Sequence, residues 1–334
     1  MEKLRFALIG TGGIAQTYSQ AFQTSESCRL VAVADLNLEA AKAFAEPFGA
    51  KVFEDFRALA EAGGFDAVII ATPPSTHAEI AIHFMDLGIH VLCEKPLCLA
   101  REDALRMLEA AERNGVKFTM ASKFRYVEDV VRAKALVASG ALGDIIQFEN
   151  AFTANVDMSK RWNSEPEVAG GGVLIDNGTH SVDIIRYFLG PISDVLAVEA
   201  GATQGLAVDE NVRMFARTES GVTASIDLTW GINKELPNFI SVYGTNGTLH
   251  IGWRESKYKT SSNPDWTVFG NGYDKVQAFR SKIENFRASV VDGEELLIKP
   301  EDALASVEVI EAAYKSINQH LWQRVVESKA SAGN

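Results

Sequence analysis

Through the first third of the chain, short apolar runs alternate with longer amphipathic stretches. Residues 4–9, 30–34, 67–71, 89–93 and 116–120 are almost uninterrupted hydrophobic segments, the pattern of strands covered on both faces of a parallel sheet. Between them, residues 14–22, 38–48, 56–62, 76–87 and 101–114 repeat their apolar positions at helical spacing. Gly49, Gly63, Gly88 and Gly115 follow four of these stretches and fit helix C-caps. Strand and helix in strict alternation predict right-handed crossovers and a doubly wound layer.

Beyond about residue 121 the rhythm changes. A helical pattern at 129–139 leads into strand patterns at 145–152, 195–200, 212–218, 223–230, 239–243 and 248–253. Their separators, such as Glu219-Ser220-Gly221 and Gly244-Thr245-Asn246-Gly247, suit hairpins, so this half reads as a mostly antiparallel sheet. Helical patterns at 275–291 and 300–327 follow, and residues 328–334 read as a frayed end.

Composition narrows the class. With 334 residues, 47% hydrophobic and 23% charged, the chain is long enough for two cores and unlike disordered or membrane proteins. Its 32 basic and 44 acidic residues leave a net charge of −12. A broad positive field for polyphosphate backbones is missing, which argues against nucleic acid as a main partner. Cys28, Cys93 and Cys98 form neither a disulfide framework nor a zinc pattern and fit a reducing compartment. The start of the chain reaches Gly10 before any signal-like apolar region develops, and no run approaches the ~20 residues of a membrane helix. The expectation is a cytoplasmic, soluble protein with no membrane partner.

Gly10-Thr11-Gly12-Gly13-Ile14-Ala15 leaves the first strand and opens the first helix. In that context Gly10 permits the tight turn, Gly12 admits a pyrophosphate against the backbone, and the helix N-terminus offers N–H donors to the anion. Asp35 closes the second strand, where a carboxylate accepts hydrogen bonds from the adenosine ribose. It would repel a 2′-phosphate, which favours NAD over NADP. Capping of the next helix is the other use for Asp35, with Asn37 competing for that task. Thr72, Pro73 and His77 lie in a polar turn at the carboxyl edge of the next strand and are candidate cofactor contacts; a solvent-facing first turn is the alternative for His77. Glu94-Lys95-Pro96 ends the following strand in the same way, the proline stiffening the turn, with a cis bond as one route.

In the second half, Gly170-Gly171-Gly172 precedes Val173-Leu174-Ile175-Asp176-Asn177-Gly178-Thr179-His180-Ser181-Val182-Asp183. If helical from Gly172, this segment sets Asp176 and His180 at i and i+4 on one face. Its glycines allow close backbone approach, and Gly178 in a helix interior costs about 1 kcal/mol against alanine, which a packing or ligand demand must offset. Two such ligands without a third nearby make an incomplete metal site, so no metal is expected.

Taken together, the glycine fingerprint, Glu94-Lys95-Pro96 and Asp176-x-x-x-His180 resemble the glucose-fructose oxidoreductase / inositol dehydrogenase (Gfo/Idh/MocA) family in order and spacing over nearly the whole chain. The resemblance implies an α/β protein: an N-terminal Rossmann doubly wound parallel sheet at 1–122, plus a C-terminal α+β domain at 123–328 with a large, mostly antiparallel open sheet. The last helix could pack back on the first domain. It implies NAD-dependent hydride transfer from a secondary alcohol of a sugar, inositol or related polyol. Lys95, Asp176 and His180 would be the catalytic triad. Cofactor contacts would come from Gly10, Thr11, Gly12, Gly13, Ile14, Asp35, Thr72, Pro73, His77, Glu94 and Lys95. The segments around Arg125-Tyr126 and Arg161-Trp162 lie near substrate or cofactor in similar enzymes, making Arg125, Tyr126, Trp162, Asn163 and Asn177 substrate candidates. A homodimer or homotetramer built on the open sheet is implied as well. Two other outcomes on the same scaffold are glycoside cleavage with retained NAD, and a dinucleotide-dependent regulator without catalysis.

Overall fold

A computed structural model describes residues 3–326; residues 328–334 and the expected end of the last helix at Glu327 lie outside them. In chain order the elements are β1 (Leu4–Ile9), α1 (Ala15–Thr24), β2 (Cys28–Ala34), α2 (Leu38–Ala45), β3 (Lys51–Phe53), α3 (Phe56–Ala62), β4 (Ala67–Ile70), α4 (His77–Asp86), β5 (His90–Cys93), α5 (Arg101–Asn114) and β6 (Phe118–Met120). They continue as α6 (Glu128–Ala138), β7 (Ile145–Thr153), α7 (Pro166–Ala169), α8 (Val173–Leu189), β8 (Ile192–Glu199), β9 (Asn211–Thr218), β10 (Thr223–Thr229), β11 (Asn238–Gly244), β12 (Gly247–Gly252), β13 (Ser256–Thr260) and β14 (Asn263–Gly270). Last come α9 (Lys275–Val291), α10 (Pro300–Gln319) and β15 (Gln323–Arg324). The chain forms two compact units, one taking in the chain to Tyr126 together with Lys275–Leu304, the other Val127–Asp274 and the chain from Ala305.

The first unit holds a six-stranded parallel sheet in the order β3-β2-β1-β4-β5-β6. Its direction of growth reverses between β1 and β4, the point where open α/β sheets leave a crevice at the strands' carboxyl ends. Phe6, Leu8, Val33 and Ile69 are fully buried, as strands covered on both faces require. Helix α9 closes this core across α1: the Tyr18 and Phe279 rings meet edge to face at 4.8 Å, and Phe6 lies 6.0 Å from Phe286.

The second unit is built on a nine-stranded sheet, β14-β13-β12-β11-β7-β10-β9-β8-β15. Among the described residues, only β7 and β10 pair in parallel in this sheet. Burial alternates along β9 and β10, so Met214, Ala216, Ile226 and Leu228 face the helix-covered side. The paired row Leu196, Phe215, Ser225, Glu149, Ser241, His250, Lys257 and Val268 takes the other side. Among the described residues no helix is long and apolar enough to cross a membrane.

Three differences from the sequence reading have physical causes. Strand β3 is only three residues long, and β13 and β14, SKYKT and NPDWTVFG, lie at a sheet edge with little apolar alternation to betray them. The helix expected over 300–327 stops at Gln319. His320 turns to a left-handed φ of 57°, and Gln323 and Arg324 then pair with β8.

Candidate active site

Gly10 makes the turn out of β1 with φ +92°, and a Cβ there would lie 2.7 Å from the Ala71 carbonyl oxygen, so backbone packing alone forbids any side chain. At Gly12 and Gly13 a Cβ would meet nothing within 4 Å. Ala15, fully buried, opens α1 by donating its N–H to Gly12 O at 3.0 Å, while Ile14 packs on the core. Asp35 reaches back to this turn, its Oδ2 accepting from Thr11 N at 2.6 Å and Thr11 Oγ1 at 2.8 Å. Asn37 takes over the capping of α2, accepting from Ala40 N at 3.1 Å. One carboxylate oxygen therefore belongs to the glycine turn, beside the open space, while the other accepts from Asn37 N at 2.8 Å.

Next along the sheet edge, Thr72 Oγ1 pairs with Thr76 Oγ1 at 2.7 Å. His77 corrects the sequence reading: it faces neither solvent nor the crevice. It is fully buried, with Nδ1 3.0 Å from Pro96 O and Nε2 2.9 Å from Thr72 O. The ring thus ties the Thr72 turn to the Lys95–Pro96 turn, whose peptide bond is cis. Burial lowers its pKa, against the opposing pull of those carbonyls.

Glu94 and Lys95 leave β5 together, and Glu94 is buried in contacts from three directions. Its Oε1 accepts from Tyr18 of α1 at 2.6 Å and from Lys282 of α9 at 2.9 Å, and its Oε2 accepts from the Lys95 backbone N–H at 3.2 Å. Burial pushes the Glu94 carboxyl up, but Lys282, the Tyr18 hydroxyl and Lys95 outweigh it and hold the group below its ordinary value. The Tyr18 hydroxyl is pushed well up, by burial first and then by Glu94. Lys123, just past β6, has its pKa lowered to about 7 by burial and then by Lys95 and Lys275.

Arg125 and Tyr126, expected near substrate, are instead turned into their own unit. Arg125 is buried and donates to Asp302 at 2.9 Å and to Leu297 O at 3.1 Å; the Tyr126 hydroxyl donates to Asn285 Oδ1 at 3.1 Å. Arg125 Nη1 and the Tyr126 hydroxyl thus bond to α9, to the start of α10 and to the segment between them.

In the second unit, α8 is helical from Val173, which places Asp176 and His180 one above the other on one face. Asp176 and Asn177 are half-buried; His180 is 4% exposed and meets the Phe152 ring at 6.2 Å. Asp209, from the loop before β9, fixes the helix start. Its two carboxylate oxygens accept from Gly172 N and Leu174 N, each at 2.8 Å, and its backbone oxygen accepts from Val173 N at 2.8 Å. Tyr314 of α10 donates to the same carboxylate at 2.8 Å. A Cβ on Gly172 would sit 1.9 Å from Asp209 O, and one on Gly171 2.0 Å from the Tyr314 hydroxyl. Gly178 answers a packing demand, its Cβ position meeting Leu174, Ile310 and Leu228 at 3.1–3.3 Å. Trp162 is exposed and Asn163 half-buried in a single 3₁₀ turn, Trp162–Ser164.

Tyr18, Lys123, Asp209, Lys282 and Tyr314 were not singled out by sequence. For Lys282 a signal existed: it shares the helical face of Phe279, Ile283 and Phe286, an apolar stripe where a charge is out of place.

Comparison with known proteins follows the same division. Residues 4–122 match the model of an oxidoreductase family with an NAD-binding Rossmann fold, and residues 130–250 match the GFO/IDH/MocA C-terminal domain. The chain is 28% identical to inositol 2-dehydrogenase of Rhizobium meliloti (strain 1021) over 94% of its length and 97% of that protein. It is 33% identical to glucose-6-phosphate 3-dehydrogenase of Bacillus subtilis (strain 168) over 55% of its length and 53% of that protein. A solved levoglucosan dehydrogenase, in complex with NADH and levoglucosan, shares the fold with TM-score 0.90 at 22% identity, over 98% of this chain and 100% of that one.

Proposed function

The chain belongs to the Gfo/Idh/MocA family and is an NAD(P)-dependent sugar or polyol oxidoreductase; from that premise we propose that it oxidises a secondary alcohol using Lys95, Asp176 and His180, with NAD as the preferred cofactor. One observation carries the cofactor assignment. Gly10 is filled by its own protein, whereas Gly12 and Gly13 open onto space beside the Asp35 carboxylate. That cradle fits a pyrophosphate over the N-terminus of α1 and a ribose on Asp35. A 2′-phosphate would meet the same carboxylate, which disfavours NADP. Thr72 and Pro73 would border the bound cofactor, and His77 would serve it by holding two turns in register.

When bound, the dinucleotide supplies a hydride acceptor at its nicotinamide. The protein supplies position and charge. Lys95 donates a hydrogen bond to the reacting oxygen and stabilises its developing negative charge. His180 accepts the hydroxyl proton, and Asp176, one turn earlier, favours the imidazolium so formed. Trp162, Asn163 and Asn177 are candidate contacts for the remaining hydroxyls. The protein works in the cytoplasm as a homodimer or homotetramer joined through the open face of the nine-stranded sheet, where Phe215 and Val268 lie exposed. Light scattering at micromolar concentration should give an assembly, and a monomer would overturn this part.

The activity is tested by following nicotinamide reduction over inositols, aldoses and glycosides, with NAD and NADP in parallel. Lys95→Ala and His180→Ala should each lower turnover by ~10²-fold or more while NAD still binds. Normal turnover in either variant would sink its assigned role.

A further inference from the structure

Lys282 is the most deeply buried charge of the first unit, its side chain 0% exposed. Its ammonium lies 3.8 Å from the centre of the Phe279 ring and 4.6 Å from that of Tyr18. It donates to Glu94 Oε1 at 2.9 Å and to Ala121 O at 3.1 Å. A buried ion pair of this kind is a poor way to add stability, because well-packed apolar side chains of similar volume commonly do as well or better. Its geometry offers something an apolar pair would not. Glu94 is gripped from α9 by Lys282 and from α1 by Tyr18, and spends its other oxygen on the Lys95 backbone N–H. Two helices of the nucleotide-binding unit are thus tied to the residue that begins the Lys95 turn.

We propose that Lys282 is a positioning residue for the reaction: by anchoring the Glu94 carboxylate it fixes the backbone from which the Lys95 side chain acts. The inference rests on the reading of Lys95 as the donor to the reacting oxygen. Misplacement by about 1 Å at a reacting group costs up to ~10²-fold in rate, so a tether remote from substrate can matter this much.

The groups facing Glu94 are Tyr18 and Lys282 from the two helices, Lys123 after β6, His77 of α4, and its chain neighbours Cys93 and Lys95. Lys282 is the largest of the influences that hold Glu94 ionised against burial. Without it, burial raises the carboxyl, so Glu94 takes up a proton at a higher pH and holds the Lys95 N–H more weakly as the pH falls.

The test compares Lys282→Met, Lys282→Arg, Lys282→Met/Glu94→Gln and Lys95→Ala in the full chain. Lys282→Met should lower kcat roughly 10- to 100-fold with the NAD dissociation constant unchanged within about twofold, a change worth only a fraction of 1 kcal/mol. The acid limb of its kcat–pH profile should move to higher pH. Lys282→Arg should recover most of the loss, and adding Glu94→Gln should abolish the displaced limb. Wild-type kcat in Lys282→Met, or a loss with an unmoved pH profile and no recovery by arginine, overturns the proposal. Should Lys282→Met fail to fold, Tyr18→Phe removes the other anchor of the same oxygen; it should show a smaller loss with the same direction of pH shift, and no shift overturns the proposal. Lys95→Ala separates the two levels. If it keeps full turnover, the reading of Lys95 fails; if it is inactive while Lys282→Met is normal, only the present inference fails.

Discussion

Each unit opens a functional helix with a run of glycines, and the two runs do opposite work. Before α1, Gly12 and Gly13 have no protein atom within 4 Å of where a Cβ would stand. Before α8, the Gly172 position is pressed against the Asp209 backbone at 1.9 Å, and the Asp209 carboxylate already accepts the N–H groups of Gly172 and Leu174. A helix N-terminus wants an anion because its first amides lack intrahelical acceptors. In the second unit the protein supplies that anion itself, and the helix becomes a rigid carrier for Asp176 and His180. In the first the position is left for a ligand. A glycine cluster before a helix therefore marks a close approach, but not what approaches.

Filling each gap with one methyl group gives the sharpest break of this comparison. Gly172→Ala forces backbone apart from backbone and should destabilise the protein by about 3 kcal/mol. In thermal unfolding that is a fall in Tm of roughly 6–12 °C. Turnover should fall with it, since the first turn of α8 carries Asp176. Gly12→Ala places its methyl in open space and should leave Tm within about 2 °C, because little protein contact changes. Its effect belongs to the ligand: NAD titration should show affinity weakened roughly tenfold or more, an overlap worth about 1.4 kcal/mol. If Gly12→Ala unfolds the protein, or Gly172→Ala is as stable as the parent, the distinction between open and filled turns is wrong.

The same contrast explains what could be read from the chain. Helices α3 and α5 begin and end where their patterns place them because the punctuation is local: Asp55 accepts from Ala58 N at 2.8 Å, and Gly115 adopts the left-handed C-cap. The glycine turn and Asp35 were legible for a related reason, since a strand, a turn and a second strand suffice to define them. Asp209 lies 37 residues from Gly172, and Lys282 lies 188 residues from Glu94. Asp209 carries no local signature, and the apolar stripe that marks Lys282 does not say which carboxylate answers it, so only the folded chain pairs them. His77 and Arg125 failed in the opposite sense. Their side-chain chemistry suits a site, but tertiary structure holds the His77 ring between Pro96 O and Thr72 O and bonds Arg125 Nη1 to Asp302.

A carboxylate of the second unit and a lysine of the first also differ in how their charge is answered, and this yields the smallest effect expected. Asp209 is met by amide and hydroxyl donors, whereas Lys123 is influenced by Lys95, Lys275 and Lys282 against Glu94. Burial and those cations bring its folded pKa to about 7, while an unfolded lysine titrates near ~10.4. Below pH 7 Lys123 is protonated in both states and the folded state bears the full cost of its charge. Between pH 7 and the unfolded value the unfolded chain binds more protons, so the parent gains stability as pH rises. Lys123→Met should therefore raise Tm most at pH 6, on the order of a few degrees, with the gain shrinking steadily toward pH 10. A gain equal at both ends of that range would mean that shape at Lys123, and not crowding among cations, sets its cost.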